Sequence, residues 1–291
     1  MYIGSTAKER PDRFVVIESG DSATDILALM TEKQIFNLIL DGKTCDAAIF
    51  RLPEFKQVFG NINIIHLSNF DIDQSGILYA LKNAVRLEIK KCTYKGKEQI
   101  DWIVFTRLEE IFTPYSKRFV NLFTHPTLKT IFIEKFTEEN YHFPENEILN
   151  TLSIERSTSC DWSTLTHFRN LEALYLSEIK SLISISWLAN LKILKELDLS
   201  LCKNVENMIE SISEVKTLTY LHLFQSGVIE SLQNLINLTN LAELTIENKG
   251  KLLDKNISFL DKIPNLEYSI EIGSFGTGSN SFAEQHSCEI E

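Results

Sequence analysis

Six histidines and five cysteines are the residues of this chain best suited to metal, acid–base or nucleophilic chemistry. The histidines are His66, His125, His142, His167, His222 and His286, and the cysteines are Cys45, Cys92, Cys160, Cys202 and Cys288. A structural zinc calls for four such ligands in tight spacings. The closest pair, His286 and Cys288 in an H-x-C arrangement, lacks two more. Nucleophilic catalysis needs a thiol or hydroxyl beside a base that a third group orients, and no spacing here assembles that set. The run GSFGTGSN (Gly273–Asn280) lacks the lysine and helix pattern that follow a phosphate-cradling loop. The reading is therefore no enzyme, no cofactor and no metal. What remains chemically distinctive is a set of carboxylates interleaved with aromatic rings, and its meaning depends on the elements that carry it.

Those elements announce themselves between Leu165 and Ile246 as four near-copies of one apolar pattern. The copies are Leu165–Phe168–Leu171–Leu174–Leu176, Leu188–Leu191–Leu194–Leu197–Leu199, Ile212–Val215–Leu218–Leu221–Leu223 and Leu235–Leu238–Leu241–Leu244–Ile246. Their offsets, from Leu174 to Leu197 to Leu221 to Leu244, are 23, 24 and 23 residues. The final step of two puts both side chains on one face of an extended strand. The preceding steps of three suit a turn of α- or 3₁₀-helix. No such unit can bury its apolar face alone, so neighbours must stack into a continuous core.

The pattern L-x-x-L-x-L in LKELDLSLCKNV (Leu194–Val205) and NLTNLAELTI (Asn237–Ile246) resembles the leucine-rich repeat family, in particular its short intracellular and internalin-like class. The resemblance implies an α/β leucine-rich repeat solenoid, a curved horseshoe. Its parallel β-sheet would line the concave face, with short helical or irregular segments on the convex face. It also implies a structural role for Cys92 and Cys202, each three residues beyond the second strand anchor (Ile89 and Leu199). The family places Asn or Cys there, with the side chain turned inward to bond the neighbouring turn.

Along the chain, residues 1–34 read as an atypical first repeat and cap, with a strand at Arg13–Ser19 and a helix at Ser22–Met30 that Asp21 or Ser22 would cap. Residues 35–273 hold about nine repeats of roughly 20–27 residues. The earlier anchors are Leu38/Leu40, Ile65/Leu67, Leu87/Ile89, Ile111/Thr113, Ile131/Ile133 and Leu152/Ile154. At the far end Ser269 falls where a leucine belongs, and a shift to Ile270 and Ile272 restores the inward pair. Residues 274–291, rich in Gly and Ser, read as a flexible tail; alternatively Phe275, Phe282 and Ile290 fold back over the last repeat.

Composition narrows the function. At 291 residues and a formal charge of −11, the chain argues against a nucleic-acid backbone as ligand and favours a basic partner. The opening MYIGSTAKERPDRF has no apolar signal region, and no apolar run reaches membrane-spanning length. Five scattered cysteines without C-x-x-C pairs suit a reducing compartment, hence a cytoplasmic location.

The leucine register then assigns the residues that face outward on the sheet. The binding candidates are Glu110, Phe112, Phe132, Glu134, Glu155, Tyr175, Glu196, Asp198, Tyr220, His222, Phe224, Glu243 and Glu247. Aromatic anchors ringed by carboxylates suit an interface with a basic protein. The blander reading is that strands favour aromatics and that the acids reflect overall charge. Narrower readings are an immunity- or inhibitor-type protein masking a cationic effector such as a nuclease, or a regulatory subunit like the leucine-rich repeat phosphatase regulators. A purely structural scaffold is a further alternative.

Overall fold

The computed structural model describes residues 1–7, 10–72, 75–158, 160–249, 252, 257–273 and 275–280. The chain divides into two compact units, Met1–Glu134 and Lys135–Glu291. In the first, strand Tyr2–Ala7 pairs antiparallel with Arg10–Ile17. From Arg10–Ile17 the sheet runs parallel through Asn37–Asp41, Ile64–Ser68, Arg86–Lys90, Glu110–Pro114 and Thr130–Glu134. In the second, Thr151–Glu155, Ala173–Ser177, Glu196–Ser200, Tyr220–Phe224, Glu243–Asn248 and Glu267–Ile272 run parallel. Phe275–Asn280 then pairs antiparallel with Glu267–Ile272. Residues 281–291, the rest of the expected tail, lie outside the described residues, as do Phe282 and Ile290.

Period-two alternation explains the strands. Leu174, Leu197, Leu221 and Leu244 stand opposite one another across the sheet, as do Leu176, Leu199, Leu223 and Ile246, and all are at most 1% exposed. The steps of three become short turns of helix: 3₁₀ at Trp162–His167, Ser186–Asn190 and Gln233–Asn237, and α at Met208–Ile212. Each tucks one anchor inward: Leu165, Leu188, Leu235 and Ile212 are fully buried. At the last strand Tyr268 stands opposite Leu244, while Ile270 and Ile272 form the buried pair. The Ala23–Lys33 helix is capped by Ser22, whose hydroxyl accepts the Asp25 N–H at 3.2 Å.

Seven strands leave the sheet through one non-glycine residue in the left-handed region. Asn69, Lys91, Lys135, Arg156, Glu178, Leu201 and Gln225 have φ between 49° and 59°, each two residues past the second anchor. The conformation costs about 1–2 kcal/mol per residue. In several repeats it is offset because the same residue donates its N–H to the last carbonyl of the next strand, as Arg156 does to Ser177 (2.9 Å) and Leu201 to Phe224 (2.7 Å). Among the described residues, no helix is long and apolar enough to cross a membrane.

Candidate functional site

In the first unit, register sets His66, Glu88, Phe112 and Phe132 side by side in the middle column of the open sheet face. Strands about 4.8 Å apart bring such neighbours into contact. Phe112 and Phe132 stack with centroids 4.2 Å apart and planes 7° from parallel, and the Arg86 guanidinium lies 5.2 Å from the Phe112 centroid. Glu88 is 3% exposed and surrounded by basic side chains: His66 at 3.4 Å, Lys90 at 3.1 Å and Arg86 in direct contact. Burial opposes its ionisation, yet His66, Arg86 and Lys90 together hold its carboxyl below the usual carboxylate range. Arg86 also approaches Glu110 at 3.5 Å, and Glu134 lies opposite Pro114. The acids of this unit's face are thus largely matched by cations on the same face.

The second unit is arranged differently. Tyr175 donates its hydroxyl hydrogen bond to Glu196, and burial together with that carboxylate pushes the phenol up. Asp198 accepts from Ser200 at 2.6 Å and pairs with His222 Nδ1 at 2.7 Å. The Asp198 bond outweighs burial and raises the imidazole's pKa above its ordinary value. The His222 ring in turn lies 6.5 Å from Phe224. Glu155 contacts the adjacent Arg156. Burial, then Asp198, Glu243 and Glu196, push the Tyr220 phenol up. The five aromatic candidates are half-buried rather than fully exposed, because neighbouring strands pack their side chains against one another.

Beyond Tyr220–Phe224 the face becomes a block of carboxylates. Glu243, Thr245 and Glu247 are exposed, and so are Glu267, Ser269 and Glu271 on the next strand. The register is direct: Glu243 opposite Glu267, Thr245 opposite Ser269, Glu247 opposite Glu271. None of these four carboxylates has an ion-pair partner among the described residues. Like charges directly opposed are destabilising, by about 0.2–1 kcal/mol a pair. Sequence reasoning missed Glu267 and Glu271, because Tyr268 replaces the first leucine and hides the register; the alternation ending in Ile270 and Ile272 was the available signal.

Apart from His66 and His222, the chemically reactive residue types that the structure describes lie elsewhere. Cys45, Cys92, Cys160 and Cys202 are buried and unbridged. Burial pushes the first two and Cys202 up to about 11, and Cys160 to about 12. Such thiols are protonated and inert at neutral pH. Cys92 and Cys202 point inward: Cys202 Sγ lies 3.4 Å from the Leu176 carbonyl, and Cys92 Sγ accepts the Phe70 N–H at 3.4 Å. His125 is fully buried, which lowers its pKa, and His167 Nδ1 meets the Phe143 carbonyl at 2.7 Å. Among the described residues no group of three His, Cys, Asp or Glu could hold a metal ion. His286 and Cys288 lie outside the described residues.

No protein-family profile matches the chain, and no curated protein matches it. Among solved structures, TLR13 in its complex with the single-stranded RNA ssRNA13 is 19% identical with a TM-score of 0.56, over 90% of this chain. This chain covers 40% of the length of the TLR13 chain. Internalin C2 of Listeria monocytogenes is 19% identical over 67% of this chain and 73% of its own, with a TM-score of 0.38. A leucine-rich repeat protein of Leptospira interrogans is 16% identical over 81% and 72%, with a TM-score of 0.39. The stacked L-x-x-L-x-L strands, the parallel sheet in each unit and the TLR13 likeness agree: the chain has the leucine-rich repeat fold.

Proposed function

We propose that the open sheet face of the second unit binds a basic protein, without catalysis and from a cytoplasmic location. One observation carries this reading: four in-register glutamates, Glu243, Glu247, Glu267 and Glu271, without ion-pair partners among the described residues, beside the row Tyr220, His222 and Phe224. A partner rich in lysine or arginine relieves that repulsion, while the half-buried rings supply apolar anchors. Tyr175, Glu196, Asp198 and Glu155 extend the same face. A phosphate backbone would be repelled by it, so the partner is a protein rather than a nucleic acid. The concave sheet surfaces of repeat solenoids serve as binding surfaces in general, which supports the choice of face. In the first unit Glu110, Phe112, Phe132 and Glu134 make a second, more neutral contact area. The buried, unbridged thiols support a reducing compartment.

The test starts by immobilising the chain, capturing a partner and identifying it by mass spectrometry. Its association rate with the wild type should fall steeply as salt rises. Replacing all four glutamates by glutamine should slow association at low salt by about tenfold or more and flatten the salt dependence. A flat profile for the wild type, or a variant that associates as fast, sinks the reading.

A further inference from the structure

The turn side of the second unit carries a groove that the sheet face does not use. It is about 750 Å³ in volume and opens among the loops that follow strands Glu196–Ser200 and Tyr220–Phe224. Ile183 and Val228 line it, and they are 53% and 70% exposed. Among the described residues, the other large apolar side chains exposed in this unit, Ile148 and Ile193, reach 43% and 37%. Among the described residues, the two most exposed large aliphatic side chains of the unit thus share one concavity, which scattered surface hydrophobics do not do. Beneath them Val205 and Met208 are buried, and the floor is tight: a Cβ on Gly227 would lie 2.8 Å from the Val205 carbonyl oxygen and 3.2 Å from Met208 Sδ.

The polar lining is one-sided. Glu206, Glu210 and Glu230 are exposed there against a single cation, Lys203, so the lining carries two negative charges net. None of the three carboxylates has an ion-pair partner among the described residues. A second groove of about 500 Å³ shares Ile183 as a wall and adds Trp162, Trp187 and Asp161. The two concavities therefore meet at Ile183 across neighbouring repeats, with Trp162 and Trp187 themselves buried beneath the second.

We propose that these joined grooves dock a cationic amphipathic segment of a protein partner. Its apolar side chains cover Ile183 and Val228, and its lysines or arginines meet Glu206, Glu210 and Glu230. Charge complementarity selects this occupant: an acidic segment or an anionic lipid surface would meet the same carboxylates and be repelled. The surface is made of loop and short-helix residues, separate from the strand residues of the sheet face, so the two can be tested apart.

The probe is a fluorescein-labelled amphipathic peptide of leucine and lysine, titrated against the full chain and read by anisotropy. Saturable binding is expected. Ile183→Ser with Val228→Ser should weaken it by about tenfold, and so should Glu206→Gln with Glu230→Gln. Glu243→Gln with Glu267→Gln, on the sheet face, should change it less than about twofold. Thermal unfolding run alongside confirms that the serine variant is folded, since both replaced side chains are largely exposed. Absence of saturable binding overturns the proposal. So does unchanged affinity in the serine variant, or loss of binding only in the sheet-face variant.

Discussion

His222 shows how one hydrogen bond sets the charge of a surface. Its Nδ1 meets Asp198 at 2.7 Å, and that bond, aided by the charges of Asp198 and Glu247, raises the imidazole's pKa despite partial burial. A histidine with a raised folded-state pKa contributes stability that is complete below its unfolded value of about 6.5 and is lost as pH rises through the folded value. Urea unfolding at pH 5.5 and 8 should therefore show a wild-type advantage over His222→Gln of roughly 1 kcal/mol at the lower pH that fades at the higher. Parallel pH profiles for the two proteins would rule the linkage out. The 24-residue step from Leu197 to Leu221 already makes Asp198 and His222 neighbours, but the hydrogen bond between them was not legible in the chain. The same holds for Tyr175 with Glu196, where rotamer choice across two strands decides the contact.

Among the elements, the strands were the most legible part of the molecule, because leucine at a step of two has one way to be buried. Leu197, Leu199, Leu221 and Leu223 all lie where the spacing puts them. The turns of helix at Ser186–Asn190 and Met208–Ile212 follow from the steps of three. Two features escaped. The Tyr2–Ala7 hairpin strand reads YIGSTA, which lacks strict apolar alternation, and the left-handed exits use Asn, Lys, Arg, Glu, Leu and Gln in place of a telltale glycine. At Gly227 the left-handed residue is a glycine, and it is constrained by space as well. Gly227 has φ of 54°, and a methyl group there would press on the Val205 carbonyl. Gly227→Ala should thus destabilise the protein by about 2 kcal/mol or more in urea unfolding. Gly20, also left-handed at φ of 92°, has no atom within 4 Å of an added Cβ, so its alanine variant should cost less. Equal losses at the two positions would show that sterics at Gly227 contribute nothing.

At the scale of the whole molecule, a charge of −11 is distributed unevenly. In the first unit Glu88 is ringed by His66, Arg86 and Lys90, whereas the second unit places glutamate opposite glutamate. Leucine spacing could not reveal that contrast, nor the division at Glu134/Lys135, because the core pattern continues through both. Screening weakens like-charge repulsion among exposed groups. The free protein should therefore gain roughly 0.5–1 kcal/mol of stability between low and moderate salt. The variant carrying glutamine at positions 243, 247, 267 and 271 should start higher and respond less. A wild type that loses stability with salt would contradict this.

The in-register glutamates have a last consequence, for how occupancy can be observed. A protein whose unoccupied surface works against its own fold becomes harder to melt when that surface is covered by opposite charge, because relief of the repulsion is part of the affinity that sets the gain. Its melting temperature is thus a gauge of saturation, readable in a calorimeter without labelling either molecule, and its response is largest in dilute buffer, where the glutamates oppose one another most strongly.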